Sequence, residues 1–433
     1  MTTAPVDEDQ FRAFAELIGD VRAAVLRERA RAMSEVLEGG TLWHVNSTAA
    51  GGGVAEMLHV LVPMYQRCGV RASWAVLDGD DRFFDVTKRL GNLAYGSEAG
   101  EDLLGAGDRR HYLRWSRLEA EQLLTALGPR DVVLLHDHQT AGLAPLLAAR
   151  AAAVYWRCHV GVDTPTAGSR SAWAFLAPLL ESVSAVAFSV RRHVPVELRG
   201  LRSAVITPVV WPFSAKNRAL PEDVVRVARD RCGLTGSSAA PLVVQVSRWD
   251  RLKDMHGVLE AFADFVPEAH LALVGPDPSA IPDDVDQRRW HRRCVAAWEA
   301  LSPAQRRRIC LVCLPMTDLD DNALLVNALQ RTADVVVQKS LAEGFGLTVT
   351  EAMWKARPVI GSAVGGITEQ INHGHNGLLL PDPRDHSKLG ELVNGLLADE
   401  AQRAALGARA RQDVHRNFLP DSDFESTAVL LTK

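Results

Sequence analysis

Cysteine is scarce: six among 433 residues, Cys68, Cys158, Cys232, Cys294, Cys310 and Cys313. That is too sparse for a disulfide framework, so the fold must rest on buried apolar surface, which a chain of this length can supply. A reducing cytoplasm fits such usage. A dominant charge is also missing. Forty-eight Lys+Arg face 53 Asp+Glu, a net charge of −5, which excludes a nucleic-acid binder driven by bulk charge but leaves room for a local phosphate-holding patch. No apolar run reaches the ~20 residues of a membrane span. The most apolar stretch, Ala141 to Trp156, carries Arg150 and reads as a helix followed by a strand. Met1 to Asp9 is polar and acidic, without the positive start and apolar core of a targeting segment. Neither a repeat of 20–50 residues nor a low-complexity tract is visible. Neither nucleic acid nor membrane is expected as a partner.

What is present is the balance of a globular protein, 47% hydrophobic and 23% charged, at a length suited to two or three domains. Residues Gln10 to Leu37 have apolar positions at helical spacing and predict an amphipathic helix able to pair two subunits in a homodimer or to pack on its own domain. Strand-like runs follow at Thr41–Asn46, Ala72–Leu77, Asp131–His136, Ala153–Arg157, Ala185–Ser189 and Ser203–Thr207, with helical stretches such as Leu113–Leu127 and Ala141–Ala151 between them. Alternation of this kind predicts βαβ units on a parallel sheet. Pro208 to Pro221 carries three prolines and little periodicity, as a linker would, and Gly236-Ser237-Ser238 marks a further break. A second series starts at Pro241, with strands at Leu242–Val246, Leu271–Val274, Ile309–Leu314, Val335–Val337 and Pro358–Ile360. The expectation is an α/β chain of two doubly wound, Rossmann-like domains facing across a cleft: residues 1–215, residues 216–415, and a terminal segment 416–433 packing back on the first domain.

Three segments carry candidate chemistry. Asn46 to Glu56 runs from a strand through Gly51-Gly52-Gly53 into a helix; the glycines allow close backbone approach and the helix start offers N–H groups to an anion. The spacing is neither G-x-G-x-x-G nor G-x-x-x-x-G-K-[ST], which argues against NAD binding and ATP hydrolysis. Ser247 to Lys253 follows the first strand of the second series and places Arg248 and Lys253 where a diphosphate would sit. Lys339 to Met353 holds Glu343 and Glu351 eight residues apart around a Gly344-Phe345-Gly346 turn, with a helix from Leu347. One carboxylate could meet sugar hydroxyls and the other a ribose. The Cys310-x-x-Cys313 pair reads as a buried strand, Asp78-Gly79-Asp80 and Asp318-Leu319-Asp320 as solvated loops, and the His136/His138 pair as no metal site.

Taken together, the two glutamates with their G-F-G turn, the R-x4-K after a strand and the first glycine loop resemble the GT-B glycosyltransferases of family 4. Ala363–Glu369 and Asn376–Leu379 match the same family's C-terminal domain. Within it, HVNST, GGGVAEML, HDHQTAGL, WRCH and EGFGLTVTEAMWK are similar to synthases that join a nucleotide-activated glucose to free glucose, giving trehalose.

The resemblance implies roles. Arg248 and Lys253 would neutralise the donor diphosphate. Glu343, with the backbone of Gly344, Phe345, Gly346 and Leu347, would hold the donor sugar, and Thr348 would line the same donor site. Glu351 would hold the ribose, and Gly51, Gly52 and Gly53 would close over the phosphates and the acceptor. His159 would meet the donor sugar near its reacting face, and Asn46, Asp137 and Gln139 would line the acceptor side. The implied reaction retains anomeric configuration, uses a UDP-, ADP- or GDP-linked sugar as substrate, and needs neither a cofactor nor a metal. The segment Pro208–Asn217 lacks the Asp of the P-x-I-D-P string of such synthases, and His138-Gln139-Thr140 stands where they have Pro-Gln-Pro. These departures leave one rival, a glycosyltransferase of specialised-metabolite (antibiotic) biosynthesis with another acceptor or donor sugar; a third reading, a non-catalytic sugar-nucleotide-binding protein, is opposed by the intact Arg248, Lys253, Glu343 and Glu351.

Overall fold

The computed structural model describes residues 6–49, 52–97, 100, 103–234, 240–280 and 285–432. The chain divides into two compact units, Met1–Val209 with Leu419–Lys433, and Val210–Phe418.

The first unit is built on six parallel strands: β1 (Leu42–Asn46), β2 (Ala72–Val76), β3 (Val132–His136), β4 (Ala153–Cys158), β5 (Ala185–Phe188) and β6 (Ser203–Val205). Their order is β2-β1-β3-β4-β5-β6. The chain steps outward from β1 to β2, then returns to the other side of β1 for β3, so the direction of winding reverses between β1 and β3. Ligands of such sheets bind beyond the carboxyl ends of the strands at that reversal. Burial on both faces explains why β3 reads as an unbroken apolar run, VVLLH, rather than an alternation.

A helix at Glu8–Val36, bent at Gly19 where φ is +79°, packs against a helix at Pro420–Thr432. Arg22 Nε and Nη2 grip both carboxylate oxygens of Asp421 (2.7 and 2.8 Å) across that contact. The stretch expected as one helix over Ala141–Ala151 is broken instead into short turns, Asp137–Thr140, Ala141–Leu143 and Ala144–Leu147. The buried hydroxyl of Tyr112 accepts the N–H of Gly142 and donates to the carbonyl of His138, and a Cβ at Gly142 would fall 2.3 Å from Ser116 Oγ.

The second unit repeats the plan with β7 (Leu242–Val246), β8 (His270–Pro276), β9 (Ile309–Leu314), β10 (Val335–Gln338), β11 (Val359–Ser362) and β12 (Leu378–Leu380), in the order β12-β11-β10-β7-β8-β9, all parallel. Its reversal lies between β7 and β10. Each sheet has its own core, one around Trp156, Phe188 and Leu135, the other around Trp249, Phe262 and Leu271. The short strand β12 was not anticipated as a strand.

Two local expectations are corrected. Strand β9 is an edge strand, and Cys313 is exposed, with Sγ 3.2 Å from His291 Nε2; Cys310 and Cys313, three apart on a strand, point to opposite faces and cannot act as a pair. The two D-x-D strings are helix starts rather than plain loops: Asp80 accepts the N–H of Phe83, and Asp318 those of Asp320 and Asp321. Among the described residues no helix is long and apolar enough to cross a membrane.

Candidate active site

In the second unit the residues singled out in sequence gather at the β7/β10 reversal. Strand β7 runs through Ser247–Asp250 into one tight turn, Arg251–Lys253, whose leading N–H groups at Leu252 and Lys253 are capped by the Asp250 carboxylate (2.7 and 3.0 Å). Gln245, the single polar residue of LVVQV and fully buried, donates to the carbonyl of Lys253 (2.8 Å) and accepts the N–H of Lys339 (3.1 Å). It ties the two loops that follow β7 and β10 to one point. Lys253 Nζ consequently lies 2.5 Å from Glu343 Oε2, and Ser340 Oγ donates to the same oxygen (3.0 Å). Glu343 is buried, at 6% side-chain exposure, and Lys253 nearly so. Arg248 differs: 62% exposed, it rests its guanidinium 3.0 Å from Asp250.

The Glu343–Leu347 turn is shaped by what presses on it. A Cβ at Gly365, where φ is +48°, would stand 1.7 Å from the carbonyl oxygen of Glu343, and one at Gly366 would stand 2.4 Å from Phe345 Cα. Only glycines allow that approach. Gln370 donates to the carbonyl of Phe345 (2.6 Å) and accepts from Thr350 Oγ1 (2.6 Å). Gly344 and Phe345 are buried, and Gly346, at φ +90°, starts the helix Leu347–Trp354. The first N–H groups of that helix have no intrahelical acceptor and carry the positive end of its dipole. Glu343 does not cap it; its carboxylate is on Lys253. Leu347 and Thr348 are partly exposed, and Thr348 Oγ1 donates to Gln338 at the end of β10 (3.1 Å).

Glu351, one turn inside the helix, is buried with Oε1 3.7 Å from Lys216 Nζ. One turn further, the buried Lys355 Nζ donates to Asn217 Oδ1, Gln330 Oε1 and the carbonyl of Glu351. Burial pulls that ammonium down to about 7.

In the first unit the sequence candidates stand at the ends of β1, β3 and β4. Asn46, buried at the end of β1, accepts from Trp74 Nε1 (2.8 Å) and donates to the carbonyl of Thr48 (2.7 Å), so both ends of its amide hold the loop. Gly52 precedes the helix Gly53–Arg67, and a Cβ on it would meet nothing within 4 Å; Gly51 lies outside the described residues. Asp137 has φ +62°, an uncommon backbone for a residue with a side chain. Its carboxylate accepts the N–H of His159 (2.7 Å), and burial raises it to about 6. His159 is partly buried, with Nε2 3.4 Å from His136 Nδ1 and Nδ1 3.4 Å from Ser189 Oγ. Gln139 is partly exposed on the turn Asp137–Thr140. His138 leaves the strand and is buried against Gly91.

Several supporting residues escaped the sequence reading: Gln245, Ser340 and Gln370, with the buried Lys339–Asp254 ion pair. The signal for Gln245 was present, as a lone polar residue inside an apolar strand. Gln370 and the Lys339–Asp254 pair act through contacts twenty or more residues away, and Ser340 bonds to Glu343 three residues on with nothing local to single it out.

Residues 44–195 match the family described as trehalose synthase, N-terminal domain, and residues 320–413 the one described as glycosyl transferases group 1. The chain is 33% identical to the trehalose synthase of Pyrococcus horikoshii over 411 residues, 94% of this chain and 92% of that protein. Its fold is similar to that of an alpha,alpha-trehalose-phosphate synthase (UDP-forming) from Burkholderia xenovorans in complex with glucose-6-phosphate, with TM-score 0.74, 15% identity, and coverage of 91% of this chain and 100% of that one. Anabaena HepE in complex with UDP and glucose is a further match, with TM-score 0.63, 17% identity, and coverage of 90% and 99%. The chain belongs to the trehalose synthase family of glycosyltransferases and has the two-domain α/β GT-B fold.

Proposed function

We propose that the chain transfers glucose from a nucleotide diphosphate glucose to free glucose, forming trehalose with retention at the anomeric carbon. The observation that carries this reading is the Lys253–Glu343 pair beside the Gly344–Gly346 turn, at the sheet reversal of the second unit. The trehalose synthase of Pyrococcus horikoshii supports glucose as acceptor over a specialised metabolite, and the UDP and glucose bound by Anabaena HepE support a nucleotide-sugar donor. UDP, ADP and GDP remain the candidate carriers. The free cysteines fit a cytoplasmic setting.

The proposed chemistry is electrostatic. Lys253 and Arg248 would take up charge on the diphosphate as the bond from the anomeric carbon to the phosphate oxygen breaks. The acceptor hydroxyl would form the new bond on the same face, its proton passing to the departing phosphate oxygen. No protein nucleophile is needed, because positioning and charge stabilisation lower the barrier. With two cations at the diphosphate, a divalent metal is not required either.

The test is a donor–acceptor screen read by mass spectrometry. Protein is given UDP-, ADP- and GDP-glucose, each with and without glucose, in the presence of EDTA. Trehalose with stoichiometric release of one nucleoside diphosphate is expected. Absence of trehalose from every combination, under conditions where the nucleotide binds, would overturn the reading.

A further inference from the structure

Three imidazoles cross the sheet of the first unit as one column. His44 lies inside β1, His136 ends β3, and His159 follows β4. Their rings stack in sequence, with centroids 5.4 and 5.7 Å apart and planes within 23° and 11°. Nitrogen meets nitrogen at each step: His44 Nδ1 to His136 Nε2 at 3.1 Å, and His136 Nδ1 to His159 Nε2 at 3.4 Å. The column ends at Ser189 Oγ, 3.4 Å from His159 Nδ1. At the other end Tyr65 stacks on His44, and the buried His44 Nε2 meets no hydrogen-bonding partner among the described residues.

Other groups around the column decide its charge. Arg157, fully buried on β4 and paired with Asp423 of the last helix (2.7 Å), is the fixed cation beside all three rings. Asp137 faces the backbone of His159, and Tyr65 and Ser189 close the two ends. Burial and the Arg157 charge push His44 down to about 3 and the other two well below the ordinary imidazole value. Each ring therefore carries one proton, and every nitrogen–nitrogen contact needs one donor and one acceptor. Only two arrangements satisfy the whole column. If the protons pointed toward His44, its Nε2–H would be buried without an acceptor. Pointed toward Ser189, they leave only a lone pair unused there, which is the less costly orphan.

We infer that the column is polarised in one direction, with His44 and His136 as positioning residues that hold His159 as its neutral Nδ1–H tautomer. Its Nε2 accepts from His136 and its Nδ1–H donates to Ser189. This rests on the reading of His159 as a donor-sugar residue. It makes His159 a rigid, uncharged contact that takes no proton during transfer, in keeping with a reaction in which the departing phosphate receives it.

The test needs no turnover. Protein labelled with ¹⁵N-histidine is studied by long-range ¹H–¹⁵N correlation spectroscopy without substrate, the His159 signals being assigned by their loss in His159→Asn. Nδ1–H patterns are expected for all three rings at neutral pH. An Nε2–H pattern for His159, or its titration near the ordinary imidazole value, would overturn the inference. His44→Phe keeps the stack and leaves only a lone pair unused on His136 Nε2, so His159 should stay Nδ1–H, whereas His44→Asp places an acceptor near the position of Nδ1 and draws the His136 proton to Nε2. His44→Asp should therefore turn His159 to its Nε2–H tautomer and lower kcat about tenfold with donor KM unchanged; His44→Phe should leave both as in the wild type. A change in kcat with the His159 tautomer unmoved would reduce His44 to packing and overturn its positioning role. Failure to make trehalose, with the expected tautomers in place, would count against the proposed function and not against the column.

Discussion

Lys253 Nζ and Glu343 Oε2, ninety residues apart in sequence, meet at 2.5 Å just beyond the strands β7 and β10 that flank the reversal of the second sheet. The contact is enforced from below, where Gln245 bonds to the backbone of both loops, and from the side, where Ser340 shares the Glu343 oxygen. An ammonium beside a carboxylate that is 6% exposed is balanced charge held in a fixed place. Balanced charge of this kind can be redistributed when a diphosphate and a sugar arrive.

The first prediction separates stability from chemistry at that pair. Lys253→Met alone leaves a buried carboxylate without its cation, which costs roughly 3–5 kcal/mol, or a fall in Tm on the order of 10 °C for a unit of this size. It should also lower kcat by about 10²–10³-fold. Adding Glu343→Gln removes the stranded charge, so the double variant should recover most of the lost Tm while kcat stays low. Calorimetry and steady-state rates on the two variants decide it. Recovery of both quantities together would mean that the pair is structural only.

Arg248 is expected to behave differently although it lies five residues away. Its side chain is 62% exposed and rests on Asp250, where solvent screens it. Arg248→Ala should leave Tm within about 1 °C, raise KM for the nucleotide sugar about tenfold, and weaken the dependence of that KM on salt. A Tm change as large as that of Lys253→Met would show that Arg248 supports the fold.

The fold was readable because parallel strands covered on both faces become uninterrupted apolar words. VVLL in β3, LVVQV in β7 and VVV in β10 were legible for that reason. The same rule misread Cys310–Cys313, since an edge strand and a central strand share the apolar pattern and differ only in whether a neighbour is present. β12, Leu378–Leu380, overlaps the Asn376–Leu379 motif and reads only as part of that motif. The broken helix after Asp137 reflects Tyr112 and Ser116, which reach it from another helix. At the site, Glu343, Lys253 and His159 were legible as motif members. Of their partners, Gln245 was marked only as a lone polar residue in an apolar strand, Ser340 is one polar residue among several in its loop, and His44 meets a ring that strand order alone brings beside it.

The Gly365-Gly366 turn supplies a further prediction. A Cβ at Gly365 would lie 1.7 Å from the carbonyl oxygen of Glu343, which is backbone and has nowhere to move. Gly365→Ala should cost about 3 kcal/mol or more, lowering Tm by roughly 6–12 °C, and should displace Glu343 enough to cut kcat. Gly374→Ala is the control: its φ is +77° but the space around it is open, so only the backbone cost of about 1 kcal/mol is expected. Equal effects from the two substitutions would show that the turn does not hold Glu343 in place.

Asp137 carries the pH prediction. Burial raises its carboxyl from the ordinary 3.8 to about 6, with the His159 N–H opposing the rise. A raised acid binds its proton more tightly in the folded state than in the unfolded one. Between about pH 4 and 6 the native protein therefore holds more protons, and the stability this group contributes is lost as pH rises through that window. Two units correspond to on the order of 2–3 kcal/mol. Asp137→Asn removes the titration, keeps an oxygen for the His159 N–H, and tolerates the left-handed backbone at φ +62°. Urea unfolding of both proteins at pH 4.5 and pH 8 should show the wild type losing stability relative to the variant as pH increases. If the difference between them is the same at both pH values, Asp137 titrates as an ordinary carboxylate and the strained turn stores no charge.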